Sequence, residues 1–238
     1  LADRRWGGYG DRARQVMRAT LARVKSKDGD FLTIGDWAQG DETYRSTTRS
    51  SDFMPTHFRA FAKASGDASW MAILDATYAA LDAAAPQKTG LAPDFIAGLP
   101  GLPMPAQPMF LEGEGDGAHS WNAVRTPWRL ALDDIFTGDA RAHGRLVRVN
   151  AFIRGATEDT PMRIKDGYTL EGNPLHPDWD GGLAFTSMFA VAAMVDPTAQ
   201  DWLDALWARM VETPLEDDDY YGNTLKMLAM ITLDGGWR

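Results

Sequence analysis

The sequence predicts an all-α protein built from helical hairpins. Apolar residues recur at the three- and four-residue spacing of one helix face in several windows, and no segment keeps the alternating pattern of a strand. Short turns that carry helix-stop and helix-start residues alternate with long segments rich in Gly, Pro, Asp and aromatic residues. These observations predict pairs of helices that are connected by long loops.

The apolar spacing predicts helices over 10–25, 55–65, 68–84, 127–137, 140–155, 183–194, 199–212 and 220–233. The periodic positions of the first, third and seventh helices are Ala13, Val16, Met17, Thr20, Leu21 and Val24; Trp70, Ile73, Leu74, Thr77, Tyr78 and Leu81; and Trp202, Leu203, Leu206, Trp207 and Met210. Four tryptophans at helical spacing, Trp70, Trp128, Trp202 and Trp207, are expected in the core.

Three short turns each combine a helix stop with a residue able to cap the next helix. They are Gly66-Asp67-Ala68, Gly138-Asp139-Ala140 and Asp196-Pro197-Thr198, and they predict three hairpins. The segments 26–54, 86–120 and 156–182 exceed the length of plain connectors. A repeated unit of hairpin plus long loop favours pairs stacked in a ring, with the loops gathered on one functional face.

The first eight residues fit this repeat as the last turn of a helix, Leu1-Ala2-Asp3, followed by a hairpin turn, Trp6-Gly7-Gly8. We therefore expect residues 1–238 to form a single domain that begins in the middle of a helix pair and is incomplete at its N-terminus.

Composition restricts the partners. The 238 residues carry 33 Asp plus Glu against 24 Lys plus Arg, and the formal charge of -9 opposes binding to nucleic acid. The longest apolar run, around 183–195, is too short to span a bilayer. Cysteine is absent, no phosphate-binding Gly-rich motif or HExxH motif occurs, and the four histidines lack metal-ligand spacing. We expect no nucleic acid, membrane, metal or cofactor.

Aromatic and acidic side chains are concentrated in the predicted loops. They are Asp36, Trp37, Asp41, Glu42, Tyr44 and Asp52 in the first loop and Glu112, Glu114, Asp116, Trp121 and Asn122 around the second. Sugar faces stack on Trp and Tyr, and two carboxyl groups cleave a glycosidic bond. The pattern favours a glycan site, although solvated acids and aromatic side chains that only pin the loops would give the same pattern.

Several segments resemble glycoside hydrolase family 8, in the family's order and along almost the whole chain. They are TRSSDFM at 48–54, HFRAF at 57–61, TGLAPDF at 89–95, NAVRTPWR at 122–129, DGYTL at 166–170 and YYGNTL at 220–225. The resemblance implies an (α/α)6 barrel with a substrate cleft on one face. It also implies hydrolysis of β-1,4-linked glucans, chitosan or xylan with inversion, by a secreted or periplasmic enzyme.

The general acid of the family is absent from the sequence. Family members carry a Glu in an SEGQGYG-like motif and an Asp in a DxDxD-like motif, both upstream of the point where this chain begins. The chain then corresponds to about eight of the barrel's twelve helices. We expect the missing N-terminal part of the barrel as its partner, in an otherwise monomeric protein.

Asn122 stands where one branch of the family has its general base, an Asp, and an amide cannot accept a proton at neutral pH. Another branch takes its base from a Glu in the preceding loop, which corresponds to 110–117 here. We expect Glu112 to be the base, because an apolar pair precedes it and could anchor it. Glu114 and Asp116, which lie between glycines, are the alternatives. Asn122 would orient the attacking water.

Arg125 has two interpretations from its position in the chain. It could hold the base ionised, or it could bridge to a neighbouring loop acid. The resemblance suggests further substrate contacts, namely Asp52 and Arg125 together with the aromatic surfaces of Trp37, Trp121, Tyr168 and Tyr221.

The sequence thus favours an inverting endo-acting hydrolase of β-1,4-glucan or mixed-linkage β-glucan. Chitosan is the nearest alternative substrate, because acidic loops would suit a polycation. A non-catalytic glycan-binding barrel remnant is an alternative from another class, and so is a helical repeat protein that binds protein partners through its loops.

Overall fold

The computed structural model describes residues 9–85 and 87–236. Its α-helices are α1 (Tyr9–Arg23), α2 (Pro55–Ser65), α3 (Ser69–Ala84), α4 (Thr126–Thr137), α5 (Ala140–Thr157), α6 (Gly182–Ala193), α7 (Gln200–Glu212) and α8 (Tyr220–Leu233). Every predicted helix is present, and each end lies within two residues of its expected position. The predicted helix end and turn over residues 1–8 lie outside the described part of the chain.

The helices form two layers of a partial ring. In the inner layer, α2 contacts α4, α4 contacts α6, and α6 contacts α8. The second helix of each predicted hairpin packs against the first, which gives the pairs α2 with α3, α4 with α5, and α6 with α7. Helix α6 is buried along its whole length from Leu183 to Ala193, so it lies at the centre of the packing. The expected hairpins are confirmed.

In the short turns, the helices are capped by the residues that the sequence predicts. Gly66 and Gly138 end α2 and α4 in the left-handed conformation, with φ of 72° and 68°, where a side chain would be strained. Asp139 then accepts a hydrogen bond from the backbone N–H of Arg141 at 2.9 Å and caps α5. Asp196 accepts one from the N–H of Thr198 in the third turn.

An ionic network fastens the first hairpin to the second. Arg59 of α2 donates to both carboxylate oxygens of Asp133 in α4, at 2.8 and 3.2 Å, and to Asp139 at 2.6 Å. The hydroxyl of Tyr78 in α3 donates to Asp133 at 2.7 Å. Asp133 is fully buried, so these bonds satisfy a charge that water cannot reach.

A small antiparallel sheet joins two of the long loops. Its strands are β1 (Thr48–Arg49), β2 (Phe95–Ala97) and β3 (Met104–Pro105), in the order β1-β2-β3. Arg49 pairs with Phe95, which brings the first loop against the second. The sequence does not predict this sheet, because strands of two or three residues are too short to show a period of two.

Three of the four tryptophans expected in the core, Trp70, Trp128 and Trp202, are buried. The expectation for Trp207 is wrong, since its side chain is 37% exposed and lines a surface pocket beside Leu203 and Leu233. Across residues 9–85 and 87–236, no helix is both long and apolar enough to cross a membrane.

Candidate active site

Glu112 lies where the first and second long loops meet. Its Oε1 accepts a hydrogen bond from Arg49 Nη2 at 2.7 Å, and its Oε2 accepts one from Asn122 Nδ2 at 2.8 Å. The side chain remains 46% exposed. The structure thus orients a carboxylate from both sides, in ionic contact with an arginine, and leaves it open to water.

The backbone around Glu112 is fixed by Asp116. This buried carboxylate accepts hydrogen bonds from the backbone N–H groups of Leu111, Glu112 and Gly113, at 2.6, 3.0 and 3.0 Å. The expected anchor, the apolar pair before Glu112, is therefore supplemented by a carboxylate four residues later. Because Asp116 is enclosed by these donors, it supports the loop and is no longer an alternative for the base. Glu114 is exposed and lines a pocket to which neither Arg49 nor Asn122 contributes.

Two aromatic residues of the first long loop, Trp37 and Tyr44, support the loop that carries Glu112. The hydroxyl of Tyr44 donates to the carbonyl of Phe110 at 3.2 Å, and the two rings meet edge to face at 5.2 Å. Trp37 packs edge to face on Tyr44 at 5.4 Å and is more than half exposed. Trp37 thus has an exposed surface and a fixed position near the loop 110–117, which carries Glu112.

Asn122 is held by a buried carboxylate that sequence reasoning missed as a site residue. Asp94 accepts hydrogen bonds from the backbone N–H groups of Ser120, Asn122 and Ala123, at 3.0, 3.1 and 2.6 Å. Burial raises the pKa of Asp94 to about 6, against the lowering effect of these hydrogen bonds. The sequence shows Asp94 within the TGLAPDF segment, but it does not show which loop this carboxylate holds.

Arg125 fixes the amide of Asn122 from the other side. Its Nη2 donates to Asn122 Oδ1 at 3.0 Å and to Ser51 Oγ at 2.9 Å. With Oδ1 engaged by Arg125, the Nδ2 group of Asn122 is turned toward Glu112. Of the two interpretations of Arg125, the first, an ionic contact with the expected base, is not what the structure shows, because Arg49 makes the ion pair with Glu112 and Arg125 contacts Asn122.

Asp52 lies half-buried among these groups. Burial raises its pKa, and the positive charges of Arg49, Arg125 and Arg129 oppose the effect. Burial and the neighbouring Arg125 in turn lower the pKa of Arg129 to about 10. Three arginines thus act on the charge of Asp52, and the carboxylate of Glu112 is close enough to oppose them.

Two of the expected aromatic surfaces adjoin Asn122. Trp121 is half-exposed, its ring lies 6.0 Å from that of Tyr221, and its carbonyl accepts a hydrogen bond from the Tyr221 hydroxyl at 2.7 Å. The edge-to-face contact of Trp121 with Phe185 of α6, at 5.2 Å, seats the pair on the central helix. Trp121 directly precedes Asn122, whose amide contacts Glu112.

The structure does not place Tyr168 with them. Its side chain is 1% exposed, its ring packs edge to face on Phe152, and its hydroxyl accepts a hydrogen bond from the backbone N–H of Lys165 at 2.8 Å. Burial raises the pKa of Tyr168 to about 12. The expectation that this ring stacks on a sugar is wrong, because neither of its faces is open to a ligand.

Metal ligation has no support in the described ranges, where no group of three or more His, Asp or Glu side chains is arranged to hold an ion. The candidate site therefore consists of carboxylates, arginines, an asparagine and aromatic surfaces. That combination is suited to a sugar and to acid–base chemistry on it.

Comparison with known proteins identifies the family. The sequence model of Glycosyl hydrolases family 8 matches residues 1–235. The chain belongs to glycoside hydrolase family 8. The partial ring of helical hairpins is therefore part of the (α/α)6 barrel of this family.

Relatives of this family 8 chain include a β-glucanase of Niallia circulans, 35% identical over 100% of the chain and 59% of the relative. An endoglucanase of Bacillus sp. (strain KSM-330) is 29% identical over 100% of the chain and 51% of the relative. The chain thus spans between half and three fifths of the length of these proteins.

Solved structures of the family superpose on the whole chain. The apo structure of a β-1,3-1,4-glucanase from Paenibacillus sp. X4 has a TM-score of 0.93 and 35% identity, covering 100% of this chain and 64% of that one. A mutant of Rex8A from Paenibacillus barcinonensis, complexed with xylose, has a TM-score of 0.80, with 23% identity over 100% of this chain and 63% of that one. At that lower identity, the second likeness concerns the fold alone.

Proposed function

We propose that this family 8 chain forms the base-bearing part of an inverting endo-glycoside hydrolase that cleaves β-1,4-glucan or mixed-linkage β-glucan. The observation that carries the proposal is the carboxylate of Glu112, held between Arg49 and Asn122. Trp121, the chain neighbour of Asn122, has a half-exposed ring that lies 6.0 Å from the partly buried ring of Tyr221. The names of a β-glucanase, an endoglucanase and a β-1,3-1,4-glucanase among the similar proteins support the choice of glucan.

Glu112 acts as the general base in this proposal. An inverting hydrolase needs an ionised carboxylate that takes a proton from water as the water attacks the anomeric carbon. The ion pair with Arg49 favours the ionised form, and the exposed part of Glu112 admits the water. Each carboxylate oxygen has a second lone pair for that water.

Asn122 has a different task from the one expected from sequence. Its Nδ2 is bonded to Glu112 and its Oδ1 to Arg125, so the amide orients the carboxylate rather than the water. The series Arg125, Asn122, Glu112 is a relay of hydrogen bonds that fixes the base in one rotamer.

The general acid comes, in this proposal, from a part of the same barrel that the 238 residues do not include. The two carboxyl groups of an inverting enzyme stand about 6.5–9.5 Å apart. Support comes from two uncovered apolar grooves among the described residues. One, of about 560 Å³, lies between α1 and α2 against Val16 and Phe61, and the other, of about 740 Å³, runs along α8 at Met227 and Ile231.

The test is release of reducing ends from carboxymethylcellulose, lichenan, chitosan and xylan, measured on the natural gene product. We expect Glu112→Gln to lower the rate on the best substrate by about 10²–10⁴-fold, the contribution of a positioned base. Glu171→Gln is the control, since this carboxylate is exposed on the third long loop and has no role in the proposed site. Proton NMR of the first product should show the α-anomer.

Chitosan is the second candidate substrate, favoured by the acidic side chains of the first loop. Preferential hydrolysis of chitosan over lichenan would transfer the proposal to that polymer. Saturable binding with no hydrolysis of any of the four polymers by the folded gene product would instead favour a glycan-binding remnant. Equal rates for Glu112→Gln and the wild type would reject Glu112 as the base.

A further inference from the structure

A pocket of about 320 Å³ lies between the second and third long loops, and neither Arg49 nor Asn122 lines it. Glu114 and Ser120 contribute to one wall, and Leu175 and His176 of the third long loop contribute to another. Its size is at the lower end of the range of small-ligand sites, which suits one sugar unit better than an oligosaccharide. Ser120 directly precedes Trp121, so the pocket adjoins the candidate active site along the chain.

The walls are firmly joined. The backbone N–H of Leu175 donates to the carbonyl of Gly167 at 3.0 Å, and Tyr168 and His119 exchange two backbone hydrogen bonds between the loops. A Cβ at Gly167 would come within 2.8 Å of the Leu175 side chain, and one at Gly115 within 2.7 Å of Ser120 Oγ. Glycine at 167 therefore allows the third loop to approach the carbonyl of His119 in the second, 3.2 Å from that Cβ, and glycine at 115 allows the second loop to fold tightly onto Ser120.

His176 is oriented by a buried carboxylate. Its Nδ1 lies 2.9 and 3.1 Å from the two carboxylate oxygens of Asp166, which is buried. Since a carboxylate can only accept, Nδ1 carries the proton and donates, and Nε2 is the ring nitrogen available for a ligand. The side chain is 46% exposed, so the ring is accessible as well as fixed.

Trp179 extends this surface. Its ring stacks on that of His176 with centroids 4.5 Å apart and planes inclined by 29°, yet the residue is 62% exposed. Its backbone N–H donates to the carbonyl of His176, which fixes the spacing of the two rings. When a ligand covers a large apolar ring that is held in place and open to water, the burial of its surface favours binding.

We propose that His176 and Trp179, with Glu114 and Ser120, bind two neighbouring pyranose units of the glycan, one in the pocket and one on Trp179. The proposal rests on the function proposed above and deepens it. The unit in the pocket bonds through its hydroxyls to His176 Nε2 and to the polar atoms of Glu114 and Ser120. The next unit stacks its apolar face on the ring face of Trp179 that His176 leaves open. The neighbouring carboxylates of Glu114 and Asp166 disfavour uronic acids, so the unit in the pocket is a neutral or an amino sugar.

The experiment compares Trp179→Ala and His176→Ala with two matched controls. Trp207→Ala removes another exposed tryptophan, on α7. His143→Ala removes a histidine that is 48% exposed and contacts Asp134 through Nδ1 at 3.1 Å. Cellohexaose and chitohexaose are the probes. Isothermal titration calorimetry gives the dissociation constants, with every protein carrying Glu112→Gln in the natural gene product so that the probes are not hydrolysed.

We expect Trp179→Ala and His176→Ala each to raise the dissociation constant for one of the two probes about tenfold, while the two controls leave it unchanged. NMR locates the effect, because the indole N–H signal of Trp179 should shift during the titration. A stationary Trp179 signal at saturation, or a loss of affinity equal to that of the controls, would overturn the proposal. Binding does not depend on hydrolysis, so a failure of the proposed catalytic function would be seen separately, in the Glu112→Gln comparison.

Discussion

Arg49 and Glu112 are 63 positions apart in the chain, and the guanidinium of one lies 2.7 Å from the carboxylate of the other. The contact exists because β1, which ends at Arg49, pairs with β2 of the second loop. An ion pair that is half-open to solvent contributes little to stability, so its value lies in the orientation of the carboxylate.

Removal of Arg49 should therefore affect turnover more than folding. We expect Arg49→Ala to lower kcat about tenfold to a hundredfold with little change in Tm, because Glu112 keeps only its bond to Asn122. Arg45→Ala, at an exposed position of the same loop, is the control. Added guanidinium ion should restore part of the rate of Arg49→Ala, and an Arg49→Ala protein as active as the control would contradict the role.

Tyr221 and Tyr220 offer a second matched pair. The Tyr221 hydroxyl donates to the carbonyl of Trp121, whereas Tyr220 is largely exposed. We expect Tyr221→Phe to raise KM for the best polysaccharide about threefold to tenfold, since loss of one hydrogen bond frees the Trp121 backbone. Tyr220→Phe should leave KM unchanged. Similar KM values for the two variants would show that this hydroxyl does not position the aromatic surface.

Asp94 should give the stability a specific pH dependence. Because its pKa is raised to about 6 in the folded protein, the folded state binds more protons than the unfolded state between about pH 4 and 6. Its contribution to the free energy of unfolding then falls as the pH rises through that window, by about 2–3 kcal/mol in total. At higher pH Asp94 is ionised in the folded protein, and the full free-energy cost of burying its charge is present.

Urea unfolding of the wild type and of Asp94→Asn at pH 4, 5, 6 and 7 measures this effect. The difference in unfolding free energy between the two proteins should shrink as the pH rises from 4 to 6 and then level off. The variant itself is expected to be less stable at every pH, because an amide nitrogen would face a backbone donor that Asp94 satisfies. A difference that grows with pH would contradict the raised pKa.

Among the polar residues between the first two hairpins, Asp133 should cause the largest loss of stability when it is replaced. We expect Asp133→Ala to reduce the free energy of unfolding by about 3–5 kcal/mol, because Arg59 and the Tyr78 hydroxyl lose their buried partner. Tyr78→Phe removes one hydrogen bond and should cost about 1 kcal/mol. Chemical denaturation of both variants checks the order, and equal costs would show that the ion pair adds nothing to the hydroxyl bond.

The helices could be predicted from sequence because their apolar periods and caps are local. Gly66, Gly138 and Asp139 act within a few residues of where they stand, so their roles are visible in the chain. The predicted position of Glu112 came with the family resemblance, and the structure adds the contacts that hold it.

What could not be predicted depends on contacts between distant segments. Arg49 and Asp94 reach the site through the small sheet and through a buried turn, and neither leaves a periodic signal. Tyr168 and Trp207 were misjudged for the same reason. A loop residue can be enclosed when two loops exchange hydrogen bonds, and a helical tryptophan can remain exposed when its helix lies in the outer layer.

The three strands contribute two or three residues each, and they fasten the two loops that carry Arg49 and Glu112. So short a ladder holds less free energy than the packed helices beneath it, so its amide protons exchange by local opening rather than by global unfolding. We therefore expect the cleft to open in a transition separate from the global unfolding of the helices. On warming, the protein should lose its active arrangement while far-UV circular dichroism still records intact helices, and it should regain that arrangement on cooling.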